Sequence, residues 1–145
     1  MDYEHYPLDE FETNPDKPGR RWELSPQLGI DDYNFNVAVL ERGESLSENG
    51  YHYHENQREF FYLVDGQCQV EVEDGSFRLR EDEVVLFEKR VEHLLHNPFD
   101  EPTKIVAIGS PPDGRYPVEQ VEPAETLLQE RYGSATPDPV NESKS

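Results

Sequence analysis

From Tyr33 onward the chain runs in short period-two segments separated by tight-turn residues, and no other feature of its 145 residues constrains the fold as strongly. Tyr33, Phe35, Val37 and Val39 alternate with Asn34, Asn36, Ala38 and Leu40 until Arg42-Gly43 ends the run, the pattern of a strand with two different faces. Further strands are expected over 50–55, 59–65, 67–73, 76–80, 83–87, 92–97 and 103–109, with Asp65-Gly66, Asp74-Gly75 and Asn97-Pro98 as turns. Seven or eight short strands in about 80 residues argue for an all-β, antiparallel sandwich or barrel.

The rest of the chain arranges itself around that body. Residues 1–30 are rich in Pro, Asp, Glu and aromatics without a clear period and read as an extended N-terminal arm, with Tyr3, Tyr6, Phe11 and Trp22 packing it onto the barrel of residues 31–112. Residues 113–133 read as a loop and a short C-terminal helix: Pro123 suits its first turn, Ala124, Leu127 and Leu128 line one face, and Gly133 stops it. The helix is expected to cover one side of the barrel or a partner subunit. Residues 134–145 are polar with two prolines and read as a disordered tail.

Composition narrows the partners. Thirteen Lys and Arg against thirty-two Asp and Glu leave a net charge of −19, and only four of the cations are lysines. Nucleic-acid binding is driven by cationic side chains displacing counterions, so nucleic acid and anionic membranes are poor partners for this surface. Acidity spread along the chain with few lysines suits a halophilic source, and an ordinary acidic protein is the alternative. No apolar run nears the ~20 residues of a membrane span and no signal-peptide pattern opens the chain, so a cytoplasmic location is expected. Cys68 is the single cysteine, which rules out an intrachain disulfide; its parity with Val70 and Val72 makes it a core residue rather than a reactive thiol.

The chemistry concentrates in four residues. His52 and His54 lie two apart in an expected strand, on one face and about 6.6 Å apart, while Tyr53 points away. Glu59 follows five residues after His54, far enough for a short connection to lay the next strand alongside with Glu59, Phe61 and Leu63 inward. His93 arrives from a more distant strand and closes the site. Three imidazoles and one carboxylate suit one divalent transition metal (Mn, Fe, Ni, Co or Zn) and are ill-suited to Ca or Mg, which prefer oxygen shells. Four protein ligands leave coordination positions open to substrate, which distinguishes a chemical site from a structural one.

His52, His54, Glu59 and Gly66, spaced His-x-His, four residues, Glu, six residues, Gly, together with His93 and Asn97, resemble the two motifs of the cupin superfamily, in particular its small single-domain (cupin 2 type) proteins. The resemblance implies a double-stranded β-helix, or jelly-roll barrel, with a metal inside, and it carries the ligand roles onto His52, His54, Glu59 and His93. Two departures stand out. Leu46 occupies the place of the glycine expected six residues before His52, and Glu88-Lys89-Arg90 replaces the usual Pro-x-Gly turn.

Other side chains near the motif invite less. His96 falls on the face opposite His93 and reads as a surface or interface residue. Tyr51, Tyr53, Phe60 and Tyr62 point outward and could form a subunit interface, so a homodimer is expected. Arg58, Arg78, Arg80 and Arg90 could clamp an anionic substrate, although pairing with the abundant acids is the simpler role. Glu55, Glu71, Glu73, Glu81 and Glu92 read as solvated carboxylates. Phe61, Leu63, Val70, Phe77, Leu79 and Leu95 are expected to line a small, dry cavity.

Three functions are compatible with this reading. The first is a metal-dependent enzyme (oxygenase, oxidase, decarboxylase or isomerase) acting on a small organic substrate, with Glu59 as the one nameable catalytic acid or base. The second is a non-catalytic small-molecule binding or sensing module. The third is a structural metal or an empty barrel serving as a dimeric scaffold.

Overall fold

The computed structural model describes residues 2–140. Its strands are β1 (Arg20–Glu23), β2 (Asn34–Leu40), β3 (Tyr51–His54), β4 (Arg58–Asp65), β5 (Cys68–Val72), β6 (Gly75–Leu79), β7 (Val84–Phe87), β8 (Leu94–His96), β9 (Thr103–Ser110) and β10 (Val118–Glu122). Two short α-helices, α1 (Leu24–Leu28) and α2 (Ala124–Tyr132), and two 3-10 turns, Leu8–Glu10 and Pro112–Arg115, accompany them among the described residues. Each strand expected from alternation between residues 50 and 110 is present, with ends shifted by at most two residues. All pairings are antiparallel, in sheets ordered β1-β2-β9-β4-β7, β6-β5-β8 and β10-β3. Isolated bridges Ser45↔His96 and His52↔His93 tie the sheets together into the double-stranded β-helix.

The core between the sheets is the inward set of these alternations. Leu40, Phe61, Leu63, Cys68, Val70, Leu79, Leu95 and Ile105 are all buried there. A fully buried side chain such as Phe61 or Leu63 contributes roughly 1.5–3 kcal/mol. Gly66 holds a φ of +81°, and a Cβ on it would lie 2.4 Å from the Pro102 carbonyl oxygen, so the β4–β5 turn admits only glycine. Phe77, expected inside, is 38% exposed: it pairs with Val70, but β6 is an edge strand that leaves one side of the ring uncovered.

On the outer face, Leu127 and Leu128 of α2 cover Tyr51 and Leu94, so Tyr51 is 3% exposed instead of forming an open interface. The same cover overturns two further expectations. His96 does point away from the interior, yet it is buried and bonded to Glu71, 2.9 Å away. Glu71 is fully buried instead of solvated, and accepts from Gln69, Tyr132 and Arg131 as well. Buried charge of this kind survives only when paired and hydrogen-bonded.

The termini are more ordered around the barrel than composition suggests. The arm contributes β1, which pairs with β2 from Arg20↔Val39 to Glu23↔Asn36, and buries Trp22. Tyr3 and Tyr6 are exposed, Tyr6 stacking edge-on to Phe11 with ring centroids 5.4 Å apart, so those two do not anchor the arm. In the tail, Val140 donates its N–H to Gln69 and its carbonyl accepts from Arg78, while Asp138 pairs with Arg42. The expectation of disorder over 141–145 lies outside the described residues.

Candidate metal centre

The first two imidazoles come from β3, which is paired on one side with β10 (His54↔Val118, His52↔Gln120) and bridged on the other to His93. His52 and His93 exchange backbone hydrogen bonds of 3.2 and 2.9 Å, which sets their rings side by side with centroids 4.7 Å apart. Glu59 enters from β4, in register with Phe87 of β7 and Gly109 of β9. Phe87 stacks on the His93 ring at 4.1 Å with planes 7° apart, fixing its orientation. One donor atom each from His52, Glu59 and His93 falls within 4.8 Å of the others, and His54 Nε2 is 3.1 Å from the same Glu59 Oε1. His52, Glu59 and His93 therefore form one group able to hold an ion, and His54 touches it through Glu59.

The imidazole tautomers follow from backbone chemistry. His52 Nδ1 lies 2.7 Å from the Gly50 carbonyl, His54 Nδ1 2.8 Å from that of Arg115, and His93 Nδ1 2.9 Å from that of Val91. A carbonyl oxygen only accepts, so each Nδ1 carries the proton and each Nε2 is left with a lone pair. His93 Nε2 then faces Glu59 Oε1 at 2.8 Å, two acceptors in contact, and neither atom has a hydrogen-bond partner. Two opposed lone pairs shut off from solvent repel unless a proton or a metal cation lies between them. An imidazole that donates one N–H to a carbonyl while its other nitrogen faces an ion is the usual outer support of a metal ligand. The donor set thus fits a divalent transition metal.

The electrostatics agree with a site poised between proton and metal. Burial, followed by the neighbouring His93, lowers the His52 pKa to about 4, so that ring is neutral and ligand-ready at pH 7. Burial also works against charge on His54, but the Glu59 carboxylate outweighs it and the pKa is raised. Burial opposes ionisation of Glu59 too, and the contacts with His54 and His93 more than reverse this, holding the carboxyl well below the usual range.

A cavity of about 60 Å³ opens beside the cluster. Its apolar wall includes Leu46, Phe61, Leu95, Ala107 and Ile108, and its polar wall includes Asn34, Asn36, Gln57, Arg21 and Arg115. A benzene-sized guest occupies a cavity of about 150 Å³, so this one admits a functional group and not a ring. Leu46, the departure from the family glycine, is a buried wall residue whose carbonyl accepts from Arg21. Arg90 sits at φ +69°, so the second motif keeps its left-handed turn without the glycine.

None of Arg58, Arg78, Arg80 and Arg90 lines this cavity. Arg58 pairs with Glu88 at 3.0 Å, Arg90 with Glu55 at 3.2 Å, and Arg78 reaches Val140. Arg21 and Arg115 take their place, from segments read as arm and loop. The alternation of Arg20-Arg21-Trp22-Glu23 held a strand signal for the first. Nothing local marked Arg115, which reaches the cavity through the chain reversal between β9 and β10.

An antiparallel jelly-roll barrel with imidazole and carboxylate donors gathered inside it defines a β-barrel protein with a possible metal site. The chain belongs to the cupin family: the Cupin domain model matches residues 36–109. It is similar to the protein named polyketide synthase CurC of Streptomyces cyaneus, 32% identical over 104 residues covering 70% of this chain and 66% of that protein. The chain spans about half to two thirds of the length of the curated relatives it matches. Among solved structures, the polyketide cyclase RemF of Streptomyces resistomycificus superposes with a TM-score of 0.72 at 15% identity, over 87% of this chain and 93% of that one. A cupin sugar phosphate isomerase of Silicibacter pomeroyi gives 0.66 at 22% identity, over 73% and 74%. At those identities the structural matches speak to the fold alone. Among the described residues no helix is long and apolar enough to cross a membrane.

Proposed function

We propose that this cupin is a metal-dependent enzyme in which His52, His54, Glu59 and His93 hold one divalent transition metal and a carbonyl, enol or carboxylate end of a small organic substrate enters the adjoining cavity. The observation that carries it is the set of three imidazoles, each with Nδ1–H spent on a backbone carbonyl and two Nε2 atoms against one Glu59 oxygen. The metal, when bound, supplies Lewis-acid or redox chemistry at the positions the protein leaves open. The protein's own residues orient the imidazoles, exclude water through Phe61, Leu95 and Ile108, and present Glu59 as an ionised carboxylate. Oxidation, oxygenation, decarboxylation and isomerisation all start from such a polarised group. The names of CurC, a polyketide synthase, and RemF, a polyketide cyclase, add a polyketide as a substrate class, of which only one end would fit beside the cluster.

Elemental analysis of the purified protein tests the site, with about one transition metal per chain expected. Loss of less than a tenth of that metal in a His52→Ala, His93→Ala double variant would sink the assignment. An oxygen-electrode screen with catechol, enediol and oxalate-type compounds, alongside product analysis with polycarbonyl substrates, tests turnover. Saturable binding without turnover across those classes would favour a non-catalytic binding or sensing role.

A further inference from the structure

Nine arginines serve this chain of net charge −19, and two of them are turned toward the one cavity that also holds Glu59 and the imidazoles. Arg21 is 8% exposed. One of its terminal nitrogens donates to the Leu46 carbonyl, but its buried Nε–H has no partner, and Arg21 makes no ion pair among the described residues. In a protein this rich in carboxylates, a buried guanidinium left without one is an unspent donor, and an unmade hydrogen bond of a charged group is expensive. Burial, and after it the nearby Arg115, lowers the Arg21 pKa, so the guanidinium charge is disfavoured as the pocket stands and an incoming anion would relieve both penalties.

Arg115 complements it. Its carbonyl fixes the His54 tautomer at 2.8 Å, while its guanidinium lines the cavity, held loosely 3.9 Å from Glu23 Oε2. The two guanidiniums stand against Glu59 and Glu23, with Glu48 also near Arg21, so a divalent cation bound by the imidazoles would tip the pocket toward positive charge. The planar, multi-donor guanidinium matches a carboxylate or an enolate, and the cavity size admits such a group without a ring attached.

We propose that Arg21, assisted by Arg115, is the specificity-determining anion clamp of this site, so that the substrate presents a carboxylate or enolate oxygen to the Arg21 guanidinium. This deepens the metal-enzyme reading and rests on it only for what stands beside the anion. It is tested on the full chain, metal-stripped and zinc-loaded, by titrating sodium acetate and following the arginine Nε–H resonances, with acetamide as the neutral partner of the same shape and sodium chloride as the ionic-strength control.

The Arg21 signal, assigned by its absence in Arg21→Met, is expected to shift with acetate and not with acetamide or chloride. Arg21→Met keeps the aliphatic stem and should weaken acetate binding roughly 10- to 100-fold, and Arg115→Gln should weaken it less. Should Arg21→Met misfold, Arg21→Lys, which also lacks the arginine Nε–H, supplies the same assignment. An Arg21 signal unmoved by acetate, or moved equally by acetamide, overturns the clamp even if zinc binds fully. A clear acetate response in a protein that binds no metal leaves the clamp standing and removes the metal centre instead.

Discussion

Glu71 gives the sharpest test of how the barrel and its C-terminal helix are joined. Its carboxylate is fully buried and accepts from His96 Nε2 at 2.9 Å, Gln69 Nε2 at 3.0 Å, Tyr132 Oη at 2.8 Å and Arg131 Nη1 at 3.0 Å. Tyr132 and Arg131 belong to α2, so one side chain of β5 anchors that helix. Glu71→Ala strands a guanidinium and several donors under cover, for an expected loss of about 3–5 kcal/mol. At this chain length that lowers the Tm by roughly 10–15 °C. Glu71→Gln keeps an acceptor but drops the charge, and should lose only about 1–2 kcal/mol.

The same pair carries a pH signature. Burial opposes the Glu71 charge, but His96, Gln69 and Tyr132 outweigh it and the pKa is lowered. A lowered folded-state pKa contributes stability above the unfolded value of about 4.3, lost as pH falls through the folded value. Thermal melts followed by circular dichroism between pH 3 and 7 should therefore fall more steeply below about pH 4.3 for the wild type than for Glu71→Gln. A Glu71→Ala Tm within about 3 °C of wild type would refute the account, since it would mean the network is replaced by water at no cost.

Two further outcomes follow from the site. Metal affinity should fall as pH drops, because the raised pKa of His54 means that protons compete for its Nε2 already above the ordinary imidazole value, and full occupancy at pH 4 would count against histidine ligation. Arg90→Gly should raise stability by about 1 kcal/mol in urea melts, because Arg90 holds φ +69° and its exposed side chain makes only a surface pair with Glu55. A destabilised Arg90→Gly would show that the pair outweighs the backbone strain.

What the sequence by itself determined is whatever is written locally. Alternation along residues 50–110 records which side of a pleated strand meets the core, so the strands, the glycine turn at Gly66 and the fold class are legible without a structure. The meeting of His52, Glu59 and His93, with His54 against Glu59, is legible for the same reason, since parity places each side chain on the inner face and the connections bring the strands together.

Tertiary structure decided what depends on cover supplied from far along the chain. Parity says that His96 and Glu71 point outward but not that α2 will lie over them, so a surface became a buried charge network. The strand β10 is Val-Glu-Gln-Val-Glu, too polar and short to declare itself, and exists because β3 offers it a partner. The alternation in β2 gave two faces without saying which was inner; it is the one carrying Asn34 and Asn36, residues that line the cavity. Arg21 and Arg115 reach the imidazoles from opposite ends of the barrel sequence, one through an arm strand and one through the turn before β10. The metal ligands follow a local period and could be read from the sequence, whereas the groups that choose what the metal meets come from distant segments, and only folding brings them to the pocket.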